Sequence, residues 1–191
     1  MAKTTITLPS FGLTDPGADK NIMWDDSASE LTITGMNGIT MVDSWRLSTN
    51  ATNDVDPFSA NLERNDTAGF SHLVGMSVSS GVWTFPSTGF YWVQGSVAYD
   101  EQNSTGADPG FRTEIQVTTD NSSYNSHGIG YAHLSGTNYQ DQGIATSIID
   151  VTDTANVKVK FRTVGLTDGN RIIGNSTEDL TSFKFIRLGD T

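Results

Sequence analysis

Short runs of Thr, Val, Ile, Phe, Tyr and Trp, cut about every ten residues by Gly, Asn, Asp and Ser, leave this chain almost no segment that reads as a helix. β-Branched and aromatic side chains fit a pleated, half-buried surface, and the interrupting residues are turn formers. The expected fold class is therefore all-β, an antiparallel sandwich or barrel. The 191 residues suffice for one core with a short extension. Cysteine is absent, which excludes disulfides and thiolate metal sites.

The punctuation divides the chain near Ile39. Before it, Thr4 to Leu8 alternates Thr with apolar residues and stops at Pro9, as an extended arm would. Asn21-Ile22-Met23-Trp24 and Glu30-Leu31-Thr32-Ile33, separated by Asp25 to Ser29, form an expected hairpin. Residues 1–38 are thus predicted to be an arm and β-hairpin, and 39–191 the main domain. The main domain offers strands at Thr40–Ser48, Ser59–Arg64, Leu73–Met76, Val82–Phe85, Gly89–Asp100, Phe111–Thr119, Ser123–Leu134, Gly143–Val151, Asn156–Val164 and Thr181–Leu188. Gln102–Gly110, Gly136–Gln142 and Gly165–Asp179 are expected loops.

Alternation assigns faces. Along Gly89–Asp100, Tyr91, Val93, Gly95, Val97 and Tyr99 share one side, and Phe90, Trp92, Gln94, Ser96 and Ala98 the other. Large apolar residues on both sides predict that the second face meets another sheet, another chain or the extension. In Asn156–Val164, Val157, Val159 and Phe161 point inward, and Lys158, Lys160 and Arg162 are expected to face water. Phe183 and Phe185 share a side in the last strand, opposite Lys184, Ile186 and Leu188.

Eleven basic against 22 acidic residues give a net charge of −11, which repels phosphate backbones and argues against nucleic-acid binding. No apolar run approaches membrane-spanning length, and the first residues lack the apolar centre of a secretion signal. Sequons at Asn50, Asn65, Asn103, Asn121 and Asn175 are expected from chance in an Asn-, Ser- and Thr-rich chain. His127 and His133 would lie about 20 Å apart in one strand, too far to share an ion. The acidic loops at Asp25-Asp26, Asp54 with Asp56, and Asp150 with Asp153 lack the spacing of a calcium loop. No Gly-x-Ser-x-Gly, phosphate-binding glycine loop or His-Glu-x-x-His occurs. The expectation is a protein that is not an enzyme and carries no cofactor. Tyr124, Tyr131 and Tyr139 could stack on glycans or serve as ordinary rim residues.

Phe85-Pro86-Ser87-Thr88-Gly89-Phe90-Tyr91-Trp92-Val93, Gly143–Val151, Asn156-Val157-Lys158-Val159 and Ser182-Phe183-Lys184-Phe185-Ile186-Arg187-Leu188 resemble, in order, the strands of complement-type and tumour-necrosis-factor-like globular heads. The resemblance implies an antiparallel jelly-roll sandwich that assembles as a homotrimer. Tyr91, Val93, Phe183 or Phe185 would then fill either the subunit core or the three-fold axis. Ile22 to Ile33 resembles a short hairpin of tailed-bacteriophage fibre and virion-surface proteins. Trp45-Arg46-Leu47, Asn61-Leu62-Glu63-Arg64 and Gly81-Val82-Trp83-Thr84-Phe85-Pro86 resemble segments of phage structural proteins with such heads. This implies a virion location, as a capsid decoration or cement protein bound to the major capsid protein or another virion protein. Ile6, Leu8, Phe11 and Trp24 are the candidate attachment residues. A head- or tail-fibre tip that binds host surface glycans is the alternative.

Overall fold

The period-two runs fold as strands. The computed structural model describes residues 20–25, 30–35, 39–101, 108–134, 139–166 and 170–191. The chain divides into two units, Met1–Gly38 and Ile39–Thr191. In the first, β1 (Lys20–Asp25) pairs antiparallel with β2 (Glu30–Gly35), placing Trp24 opposite Leu31 and Ile22 opposite Ile33. Ile6, Leu8 and Phe11 lie outside the described residues.

The second unit is a sandwich of two antiparallel sheets. Its strands run β3 (Val42–Leu47), β4 (Ala51–Thr52), β5 (Leu62–Arg64), β6 (Ser77–Ser79), β7 (Val82–Thr84), β8 (Gly89–Glu101), β9 (Asp108–Thr118), β10 (Asn125–Leu134), β11 (Gln140–Val151), β12 (Lys158–Val164), β13 (Asn170–Ile172) and β14 (Ser182–Gly189). One sheet has the order β10-β9-β12-β7-β6. The other is built around β8, which carries β11 along one side. On its other side β8 pairs first with β14 and then with β13. From there β14 leads to β3 and β5, and β13 leads to β4. This is the jelly roll expected from the sequence.

Between the sheets the inward side chains interlock. Trp83 sits 5.1 Å from Phe185 and 5.9 Å from Phe183, ring centre to ring centre, and meets Phe161 and Trp45 edge-on. Phe161 packs 4.6 Å from Phe183. A Cβ at position 95 would come within 2.8 Å of the Phe161 ring, so Gly95 is the clearance through which that ring reaches β8. Tilted and edge-on pairs of this kind add about 0.5–1.5 kcal/mol each beyond area burial. Two further ring pairs, Phe85 with Tyr91 and Tyr99 with Phe111, lie further along β8 to either side.

At one side the sandwich is closed. β10 lies against β11 so tightly that a Cβ on Gly130 would stand 2.1 Å from the Ile144 carbonyl oxygen, and one on Gly128 2.6 Å from that of Thr146. No side chain fits there.

Four sequence expectations are corrected. Leu73–Met76 is not a strand. Leu73 makes a single bridge to Val42, Val74 turns to a left-handed φ of 49°, and pairing resumes at Ser77. Side chains replace the ladder: the Met76 N–H donates to Asp43 Oδ2 at 2.7 Å, and its carbonyl accepts from Arg64 at 2.7 Å. The expected loop 165–179 contains β13, and the expected strand from Ser59 shrinks to Leu62–Arg64. Lys158, Lys160 and Arg162 do not simply face water. Lys158 is buried and donates to Thr84 Oγ1 and the Thr154 carbonyl. Lys160 caps the Tyr124 ring at 3.8 Å, and Arg162 binds Glu114 and Asp56.

Buried charges are held by several partners each. Asp43 accepts from Arg64 through two nitrogens, from Trp45 Nε1 and from the Met76 amide. Glu114 accepts from Ser126 at 2.6 Å, Arg162 at 2.8 Å and Arg112. Burial opposes ionisation of Glu114, but the Ser126 hydroxyl and the two guanidinium groups outweigh it and hold the carboxyl at about 2, below its ordinary 4.5.

Two outcomes are expected. Gly130→Ala should lose about 1–3 kcal/mol in urea unfolding, because its Cβ meets backbone, whereas Gly189→Ala, with open space at its Cβ, should be near neutral. Because the folded Glu114 carboxyl is depressed, its contribution is fully present above about pH 4.5 and lost as pH falls toward 2. Wild type should therefore shed about 3 kcal/mol across that window relative to Glu114→Gln, read as the difference between the two stability–pH curves.

Candidate interaction surface

The outward face of β8 is apolar at one end because Phe90 and Trp92 alternate with the core residues. The ladder registers extend this face sideways. Trp92 stands opposite Ile148 of β11 and Ile186 of β14, Ile186 opposite Val42 of β3, and Val42 is bridged to Leu73. Directly opposed residues in an antiparallel pair have Cβ atoms about 5 Å apart. The result is one apolar row, Leu73–Val42–Ile186–Trp92–Ile148, running across the sheet. Its two ends are the most open, Leu73 at 50% and Ile148 at 64% exposure, with the middle half-buried. Phe90 and Leu188 are exposed on the neighbouring row, and Ile144 is exposed two rows away on the other side, opposite Ser96. Around the closed side, β10 adds exposed Ile129 and Tyr131, and Tyr139 is exposed where β11 begins.

The row has a sharp polar boundary. Beyond it on the same face lie Gln94, Lys184 and Ser44, then Ser96, Ser182 and Arg46. Arg46 is fully covered by the segment after β5: its guanidinium donates to Glu63, Asn65, Asp66 and Thr67. Attraction to the Glu63 and Asp66 carboxylates keeps it charged against the cost of burial. Asn65 then ties this segment down by donating to Ser44 and Asp179. Its amide is thereby engaged, so this sequon offers no free acceptor nitrogen. Half the outer face is thus sealed by hydrogen bonds, and half is left apolar.

Tyr91, Val93, Phe183 and Phe185 are all fully buried between the sheets. Of the two places left open by the sequence, they occupy the subunit core and present nothing to an axis. The residues that do present apolar surface are their strand neighbours Phe90, Trp92, Ile186 and Leu188. The two-sided composition of Gly89–Asp100 pointed to Phe90 and Trp92. Val42, Leu73 and Ile148 were not singled out, since only cross-strand register places them beside Trp92.

The polar candidates serve the fold. Asp54 accepts from the Gly165 and Leu166 amides, Asp56 pairs with Arg162, and Asp153 accepts from the Ala155 amide and Asn156 Nδ2. His127 and His133 are exposed, each at a register shift of β10. Among the described residues no group of three or more His, Cys, Asp or Glu could hold a metal. No helix of the described residues is long and apolar enough to cross a membrane.

No protein-family model matches this sequence, and no curated protein sequence does. Solved structures match it by shape. Eiger TNF from S. frugiperda superposes with a TM-score of 0.57 at 10% identity, covering 81% of this chain and 96% of that one. Murine APRIL at pH 5.0 superposes with a TM-score of 0.55 at 7% identity, covering 78% and 98%. At such identities the likeness concerns architecture alone. Strand order, sheet pairing and this superposition together give the chain the jelly-roll fold of tumour-necrosis-factor-like proteins.

Proposed function

We propose that this chain is a self-assembling head: a homotrimeric decoration protein on the outer capsid surface of a tailed bacteriophage. The observation that carries the assembly is the apolar row Leu73–Val42–Ile186–Trp92–Ile148 with its exposed neighbours. Contiguous apolar surface of this kind on a sheet face marks an interaction site. Identical copies are a fitting occupant, because the row itself carries no charge and two copies of this acidic chain can meet there without setting like charges against each other along it. The number three comes from the sequence resemblance to trimeric heads.

The capsid location rests on the phage-like segments of the sequence, Ile22 to Ile33 above all. In this reading residues 1–38 attach the head to the major capsid protein or a neighbouring virion protein, by strand addition and apolar anchoring. The exposed rings of Tyr131 and Tyr139 favour a second reading, a fibre tip that stacks on host glycans.

Light scattering on the purified chain is expected to give three times the chain mass at micromolar concentration. Trp92→Lys combined with Ile148→Glu should give a folded monomer with unchanged far-ultraviolet circular dichroism. A wild-type monomer would refute the assembly. Deleting residues 1–38 should abolish binding to undecorated capsids and leave the trimer intact. Undiminished capsid binding would refute the attachment role.

A further inference from the structure

β8 ends on a buried carboxylate to which no described residue donates. Glu101 is 1% exposed, and neither of its side-chain oxygens has a hydrogen-bond partner among the described residues. By strand parity it follows Val97 and Tyr99 on the inward face. Asn170 stands directly opposite on β13, 2% exposed, on the same inward side as Ile172. A carboxylate taken out of water costs several kcal/mol unless a counter-charge or donors replace the lost hydration. The adjacent cation, Arg171, serves the other face of the ladder, where it is bound to Asp100. A second negative charge is close by. Asp54 is anchored through the Gly165 and Leu166 amides, and its charge adds to burial in raising the Tyr99 phenol above its ordinary value against the Thr113 hydrogen bond.

We propose that Glu101 and Asn170 form a site for a single hard, oxygen-seeking cation of the calcium or sodium class, seated at the end of the sandwich between β8 and β13. The pair offers carboxylate and amide oxygens side by side, the donor types such ions take. The surrounding field is negative, and the ion supplies the counter-charge that no described residue gives Glu101. Binding would tie the end of β8 to β13 and so brace this end of the sandwich. The site is independent of the apolar row and does not require assembly.

The test uses the full chain, freed of metals by chelation. Thermal unfolding and calorimetric titration are run with calcium chloride to about 1 mM, with magnesium chloride, and with sodium chloride against choline chloride at equal ionic strength. A saturable rise in melting temperature with calcium, or with sodium over choline, at one site per chain is expected, and its loss in Glu101→Gln. Should Glu101→Gln not fold, the wild-type titration decides alone. No saturable binding by any of these ions, or binding unchanged in a folded Glu101→Gln, overturns the proposal. A Glu101→Gln chain that is more stable than wild type in every salt does so too, since it would mean that the carboxylate only burdens the fold. None of these readouts depends on whether the chain is a trimer, so failure here and failure of the assembly reading are separable.

Discussion

The packing of Phe161 through the gap at Gly95 onto Trp83, Phe183 and Phe185 is the contact on which the rest of this fold depends. These four rings come from three separate parts of the chain: β7, β12 and β14 contribute them, and β8 supplies the clearance. Closing the cluster therefore fixes the spacing of the two sheets and the in–out phase of four strands at once. A one-residue slip in any of them would carry its buried ring to the outside. The phase so fixed also decides what lies outward. Once Tyr91 and Val93 are committed to the core, Phe90 and Trp92 have no choice but to face out.

Charge then finishes what apolar packing begins. Where the backbone departs from the ladder, side chains take over its hydrogen bonds, as Asp43 and Arg64 do for Met76. Where a segment must be held flat over a sheet, a buried cation holds it, as Arg46 holds residues 63–67. Such hubs contribute little net stability over an apolar alternative, but removing one partner strands a buried charge at a cost of about 3–5 kcal/mol. They act as locks on register and loop position. The apolar half of the same face carries no such lock, and there a second molecule can supply what the chain lacks.

The sequence made the strands and their faces legible wherever alternation was clean. Gly89–Asp100, Gly143–Val151 and the Phe183–Phe185 strand lie within or nearly at the observed limits, and the aromatic residues assigned to one side share the core. What was lost depended on long-range pairing. Asn170–Ile172 has no pattern of its own and becomes a strand only because the far end of β8 needs a partner. Leu73–Met76 looks like a strand and is not one, because Arg64 and Asp43, distant in sequence, claim its backbone. Lys158 and Arg162 read as solvent-facing because nothing local shows Thr84, Glu114 or Asp56 beside them. The candidate surface was half visible for the same reason: Trp92 was suspect from its own strand, whereas Ile148 and Leu73 join it only through register.

The glycine-lined closure of β10 on β11 has a consequence for how this protein behaves in a crowded solution. The two longest strands that could have been sheet borders are turned toward each other, each hiding the other's backbone. In the sandwich, the borders that stay open among the described residues are β4, β5 and β6, only two or three residues long, and β5 carries Glu63 and Arg64. Templates so short recruit foreign strands poorly. The sandwich can thus keep a sticky face for specific company without offering the hem along which pleated proteins unravel into fibrils.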